Sequence, residues 1–329
     1  MGCDRRPLGE RRTLSLGLSV ATAGAIASSL ASDVWILVLS LFVAGVGCAS
    51  VMVASGRLVA GWFPPQQRGV AMGIRQSAPP VGIAAAAAVV PNLADSIGIG
   101  GALIFAAVAL GAALVLAMVV VREPTVLVSD DDSERVRRSP YRDPRHRLLR
   151  VHLTAALLIV PQVTIWTFLL VWLVAVHHWS VAAASIAVAA VQLAGAAGRI
   201  LAGRWSDVRG TRMRPLRLIA FAAAVAMGVL AVSGESPVSI VLIFVASIVV
   251  VADNGIAFTA VAELAGPWWS GRAMGAQNTG QNAVGAAVPP VGGALIATGG
   301  YSLAFAVAGV IALLAVPLVP TRGEQDPRV

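Results

Sequence analysis

The sequence predicts an all-α integral membrane protein of about ten transmembrane helices, arranged as a helical bundle of two pseudo-symmetric halves. Three observations carry that expectation. Of the 329 residues 57% are hydrophobic and only 12% charged, whereas a soluble domain carries about 25% charged residues. The apolar residues gather into ten runs, each long enough to cross ~30 Å of hydrocarbon as a helix of about 20 residues. The basic residues fall between the runs on alternate sides, which is the pattern that fixes orientation in a membrane.

In chain order the runs cover approximately 14–31, 34–60, 69–91, 99–121, 151–176, 181–203, 215–233, 237–262, 272–296 and 301–320. The first follows Arg11-Arg12 and ends among small residues, as a secretory leader would, but nine further runs favour a first membrane helix. Gly and Ala abound inside the runs, as expected where helices pack closely in lipid. All 24 basic residues are arginine. Alternate connections hold Arg5, Arg6, Arg11 and Arg12; Arg57, Arg68 and Arg75; eight arginines from Arg122 to Arg150; Arg199, Arg204, Arg209, Arg212, Arg214 and Arg217; Arg272; and Arg322 and Arg328. The opposite connections hold only Asp33, Asp95, Glu235 and the His177-His178 pair as charged or titratable groups. Both termini are therefore expected in the cytoplasm of a multi-pass protein of the cell inner (plasma) membrane. The 122–150 connection combines Asp130-Asp131-Asp132, arginines, Pro140 and Pro144. It reads as a polar cytoplasmic linker between an N-terminal half, 1–121, with four helices, and a C-terminal half, 151–329, with six.

Several classes are excluded or disfavoured. The net charge of +8 does not mark a nucleic-acid binder, because the arginines flank apolar runs. Cys3 and Cys48 give neither a disulfide framework nor a metal motif. Met1-Gly2-Cys3 lacks the Ser or Thr at position six that acylation requires, where Arg6 stands. A phosphate-binding loop needs a lysine, and the chain has none, which excludes an ATP-driven pump in one chain. No metal cluster or nucleophile-base arrangement points to an enzyme, and no cofactor is expected.

An internal repeat is present. Gly69-Val70-Ala71-Met72-Gly73 opens the third run and Gly271-Arg272-Ala273-Met274-Gly275 the ninth. Each follows a tryptophan-containing junction and precedes polar residues, Arg75-Gln76-Ser77 in one and Gln277-Asn278-Thr279 in the other. Asp4-Arg5 with Gly9 to Arg12 parallels Asp207 with Gly210 to Arg212 at nearly the same offset. Copies in the same orientation imply halves related by an axis along the membrane normal. Gly203, Asp207, Gly210 and Arg212 match a G-x-x-x-D-x-x-G-x-R pattern, and Trp62-Phe63-Pro64 with Arg68-Gly69 matches a second loop signature. On these residues the chain resembles the major facilitator superfamily of secondary transporters. That family usually has twelve helices, and the repeat aligns the ten runs with helices three to twelve. The resemblance thus implies an N-terminally truncated member, arising from a misplaced start or a truncated product. Leu41 stands where drug antiporters of the family carry an arginine, and residues 78–82 lack their G-P-x-x-G-G pattern, which disfavours that activity.

The resemblance implies a secondary active transporter of a small solute, working by alternating access and coupled to protons or another ion. The alternative is a truncated, non-transporting fragment, or a membrane sensor or scaffold that keeps the fold. Ionisable groups inside a membrane are costly and mark candidate sites. Asp253, beside Asn254 in run eight, reads either as a proton-titrating or solute-contacting carboxylate or as a structural one paired with a neighbouring helix. Gln277, Asn278, Gln281 and Asn282 occupy i, i+1, i+4 and i+5 and are expected to share one helix face, forming either a polar path or interhelical hydrogen bonds. Arg75 with Gln76 lies at the matching depth of the other half, as an anchor for an anionic group or an arginine that snorkels. Gln162 and Trp166, one turn apart, and Gln192 are further candidates for the path. A cytoplasmic gating network is expected of Gly203, Asp207, Gly210 and Arg212, with Arg204 beside them and Asp4 and Arg11 in the other copy. Arg57 and Glu263 are expected to have gating or structural roles, and the His177-His178 pair to be a solvated loop. The expected partners are a small solute, protons and the lipid bilayer, acting on a monomer, with no nucleic acid.

Overall fold

The structure, a computed structural model, describes residues 9–123, 139–234 and 236–321. Among these the regular structure is entirely helical: α1 (Glu10–Ser29), α2 (Val34–Trp62), α3 (Pro65–Gln76), α4 (Ala78–Val120), α5 (Arg147–Ala175), α6 (Val181–Arg209), α7 (Met213–Ser233), α8 (Pro237–Val249) and α9 (Asp253–Ala315), with 3-10 turns at Pro140–Arg142 and Val316–Leu318. Among the described residues six stretches are long and apolar enough to cross a membrane, and the last, Pro237–Leu318, runs 82 residues. A straight helix of that length would extend about 120 Å at 1.5 Å per residue, four times the ~30 Å of hydrocarbon. Instead α9 is broken at Gly266 (φ 70°) and at Gly299-Gly300 (φ −141° and 72°), and α4 at Gly98 (φ 78°). Positive φ is open to glycine without a steric penalty, so the turns between membrane crossings sit where the sequence provides it. With these breaks, α4 comprises two limbs and α9 three, and each of the ten apolar runs is helical.

The described residues divide into two compact units, those of Met1–Trp62 with Ala85–Val128 and those of Phe63–Ala84 with Ser129–Val329. In the first, α1 and α2 pack through small residues. A Cβ placed on Gly24 would lie 2.6 Å from the Ala44 nitrogen, and one on Gly47 would lie 2.5 Å from the Ala21 nitrogen. Such proximity lets backbones touch, the usual source of helix association in lipid. Leu14 and Leu18 of α1, Ala54 of α2 and Ala117 of α4 form a buried cluster. At one end Glu10, 2% exposed, pairs with Arg57 at 2.6 Å. The Glu123 carboxylate accepts from the backbone N–H groups of Glu10 (3.1 Å) and Arg11 (2.7 Å), donors that the first turn of a helix leaves without internal partners.

In the second unit the two copies of the repeat occupy equivalent places. Gly69–Gly73 follows the start of α3, which has Pro64 as N-cap and Pro65 in its first turn. Gly271–Gly275 follows the break at Gly266, with Pro267 next in the chain. Met72 and Met274 are each 1% exposed. The residues 63–84 group here because α3 lies directly on α6: a Cβ on Gly69 would meet the Gly203 carbonyl at 2.5 Å, and one on Gly73 the Arg199 carbonyl at 2.7 Å. The start of α5 is tied to the 3-10 turn Val316–Leu318, where Arg150 donates to the carbonyls of Leu318 (2.9 Å) and Pro317 (3.0 Å). His177, expected in a solvated loop, is instead packed edge-on against Trp172, with ring centroids 4.2 Å apart, and lies 3.3 Å from the Ser239 hydroxyl.

Candidate functional site

Two helix breaks, both in the second unit, build the site. Run eight is not one helix: α8 stops at Val249, residues 250–252 form a turn, and α9 begins at Asp253. Run three breaks at Ser77, between α3 and α4. The second break follows from sequence, since Pro80 has no N–H to give the Gln76 carbonyl four residues earlier. Arg199 of α6, 2% exposed, satisfies a carbonyl at each break. Its Nε donates to Val251 O at 3.1 Å and its Nη1 donates to Gln76 O. The same guanidinium stands 5.7 Å from the ring centroid of Trp166 and interacts with the Asp253 carboxylate through charge.

Sequence reasoning grouped Arg199 with the loop arginines because the apolar run ends near 203. The helix continues past that point to Arg209, so Arg199 sits within it and faces the packed interior. A signal was present: Arg199 is separated from Arg204 by Ile200-Leu201-Ala202-Gly203, and so lies one helical turn inside the apolar run.

Asp253 is 2% and Asn254 5% exposed. Asn254 Nδ2 donates to Gln162 Oε1 at 2.6 Å, and Gln281 Nε2 donates at 3.5 Å to Asn254 Oδ1 and to the Ala155 carbonyl. Three predicted residues from three runs are thereby joined. The amides of α9 differ in burial across the face they were expected to share. Gln277 and Gln281 are buried at 1% and 5%, while Asn278 is half-buried and Asn282 exposed, because each one-residue step turns the side chain about 100° round the axis. Gln277 Oε1 lies 3.0 Å from His152 Nδ1, whose Nε2 is 3.1 Å from the Tyr141 hydroxyl, and its Nε2 has no partner among the described residues. Arg75 donates to Gln76 Oε1 at 3.0 Å and stands 5.5 Å from the centroid of the buried Phe258 ring. Trp166, one turn from Gln162, sits by Arg199. Gln192, 6% exposed, is buried in α6.

The motif residues form a second cluster of the same unit. The carboxylate of Asp207 accepts from the backbone N–H groups of Gly69 (2.9 Å) and Val70 (2.8 Å). The Pro65 carbonyl, one turn before Gly69, also accepts from Nη2 of Arg212. Negative charge near a helix N-terminus is favourable. Arg212 also donates to Asp207 Oδ1 at 2.6 Å and grips Glu263 through Nε (3.2 Å) and Nη2 (3.1 Å). Burial alone would pull the guanidinium pKa down, but the bonds and charges of Glu263 and Asp207 outweigh it and raise it. Gly210 ends α6 in the left-handed conformation (φ 63°), the usual place for glycine. Arg204 lines a groove of about 400 Å³ with Asp207, Val70 and Ile74. In the first unit Arg11 donates to the Met118 carbonyl; Asp4 lies outside the described residues. Among the described residues no group of three or more His, Cys, Asp or Glu is placed to hold a metal.

Comparison with known proteins agrees with this architecture. The family model of the Major Facilitator Superfamily matches residues 3–289. The uncharacterized MFS-type transporter Rv2994 of Mycobacterium tuberculosis (strain ATCC 25618 / H37Rv) is 48% identical over 318 residues, which is 96% of this chain and 71% of the relative. Among solved structures, the human organic anion transporter MFSD10 (TETRAN) superposes with a TM-score of 0.75 at 17% identity, covering 94% of this chain and 77% of the other. The Escherichia coli fucose:proton symporter FucP gives 0.71 at 14% identity, covering 94% and 83%. At these identities the two structures speak for the fold alone.

Proposed function

Because the chain belongs to the major facilitator superfamily, a family of transmembrane transporters, we propose that it moves a small solute by proton- or ion-coupled secondary transport. The transport cycle is a rocking of two bundles, 1–121 and 151–329 joined by the 122–150 linker, around a site at mid-depth. The chain works as a monomer in the inner (plasma) membrane with both termini in the cytoplasm, where the arginine-rich connections place them.

The observation that carries this reading is the buried Asp253 at the first residue of a helix that starts within a membrane segment, next in the chain to Asn254, whose amide bonds those of Gln162 and Gln281. A carboxylate so placed is costly to keep charged and has a use if it takes up and gives back a proton. Asn278, Asn282 and Arg75 supply donors that lipid would not reward, and they form the solute-facing wall. The cluster of Gly203, Asp207, Gly210 and Arg212 holds α3 against α6 and α9, and it stabilises one state of the cycle.

The test is uptake into proteoliposomes, with monosaccharides and small organic anions as the solutes, the two chemistries transported by the structural neighbours. An imposed proton gradient should drive accumulation of one of them, and a protonophore should abolish it. Asp253→Asn should lose gradient-driven accumulation while still reaching the membrane in full amount. Normal coupling in that variant would remove Asp253 from the mechanism.

A further inference from the structure

Arg199 has an unusual set of partners for a buried cation. Among the described residues its guanidinium bonds two backbone carbonyls and no carboxylate directly, and both carbonyls belong to helix breaks: Gln76 O at the end of α3 and Val251 O between α8 and α9. Among the described residues, the charged group that acts on the guanidinium is Asp253. The ring of Trp166 from α5 stands by the guanidinium as a neutral group, and Asn254, next in the chain to Asp253, is bonded to the neutral amides of Gln162 and Gln281. Arg75, next along α3, sends its guanidinium to Gln76 Oε1 and Met72 instead.

We propose that Arg199 is the positioning residue that ties the breaks at Ser77 and at 250–252 to each other and makes both respond to the charge on Asp253. The proposal rests on the reading of Asp253 as the proton-titrating group. With Asp253 ionised, the carboxylate offsets the cost of burying the guanidinium, and the fork can hold both carbonyls. With Asp253 protonated, a buried cation remains with neutral acceptors only, a costly arrangement that favours release of a carbonyl and bending at the breaks. Arginine suits the task, because its rigid planar fork presents Nε and Nη1 to the two carbonyls from separate, fixed atoms, whereas lysine carries one nitrogen on a flexible stem.

Hydrogen exchange on the full chain in lipid nanodiscs, corrected for intrinsic rates, tests this. Peptides spanning 70–84 and 246–258 should both exchange at least about threefold differently between about pH 5.5 and about pH 8. Asp253→Asn should fix both at the acid pattern. In Arg199→Lys the two peptides should lose their joint response. Pro80→Ala leaves the charges untouched but restores an N–H to the Gln76 carbonyl, so the 70–84 peptide should stop responding while 246–258 still does; this variant keeps the test available if Arg199→Lys fails to fold. An unchanged joint response in Arg199→Lys, or in Pro80→Ala, would overturn the role of Arg199. A response that persists in Asp253→Asn but vanishes in Arg199→Lys would instead overturn the coupling to Asp253, and with it the proposed proton site.

Discussion

Adding one methyl group at Gly69 should open the contact between α3 and α6. A Cβ at Gly69 would sit 2.5 Å from the Gly203 carbonyl oxygen and 2.7 Å from Asp207 Oδ1, where ordinary van der Waals contact begins at 3.4 Å. The Gly203 carbonyl belongs to helix backbone and cannot swing away, so the helices must part by about 0.9 Å at this point. The bonds from Gly69 and Val70 to Asp207, now 2.9 and 2.8 Å, would stretch beyond hydrogen-bond range. Two charge-assisted bonds at ~1.5 kcal/mol or more each put the loss at about 3 kcal/mol. Gly69→Ala should therefore lower the thermal midpoint by several degrees, followed by tryptophan fluorescence in detergent. Gly228→Ala, where a Cβ meets nothing within 4 Å, is the control and should be neutral or stabilising by up to ~1 kcal/mol, since alanine is the better helix former. Equal midpoints for Gly69→Ala and the wild type would refute the close approach and the carboxylate cap together.

Two further outcomes rest on contacts in the structure. Gln162→Leu removes the acceptor of the buried Asn254 amide and should cost about 1–3 kcal/mol; adding Asn254→Leu should cost less than the two single changes combined, and strict additivity in a thermal double-mutant cycle would deny the pairing. Burial pushes the Asp143 carboxyl up, but the Arg147 side chain (2.8 Å) and the N–H groups of Arg145 and Arg147 outweigh it and hold it below the usual range. A depressed folded pKa stabilises fully above the unfolded value of about 3.9 and is lost as pH falls through the folded one, so the wild type should be more stable than Asp143→Asn at neutral pH and converge with it in acid; a difference that does not change with pH would contradict this.

Much of the fold is written locally. Each apolar run became helix, and the turns within the long helical stretches fell at Gly98, Gly266 and Gly299-Gly300, because hydropathy and the φ freedom of glycine are properties of the chain itself. The repeat around Met72 and Met274 was legible for the same reason, as was the pairing of Asp207 with Arg212, five residues apart. Candidates were also found where chemistry alone flags them: a carboxylate or an amide inside an apolar run is conspicuous wherever the run packs, as Asp253, Asn254 and Gln281 show.

Which of those groups meet depended on packing. The joining of Gln162 to Asn254, and of Gln277 to His152, spans about a hundred residues, and no spacing rule reaches so far. Periodicity puts the amides of α9 on one face, and the neighbouring helices bury Gln277 and Gln281 while leaving Asn282 exposed. Arg199 was the largest change. Its sequence position marks the edge of an apolar run, where an arginine ordinarily reaches water. Only the tertiary structure brings the broken ends of two other helices against it, and a carbonyl freed at a break needs a donor wherever it is buried. The sequence by itself determined the crossings, their turns and the costly groups inside them; the contacts between helices decided which of those groups form a site.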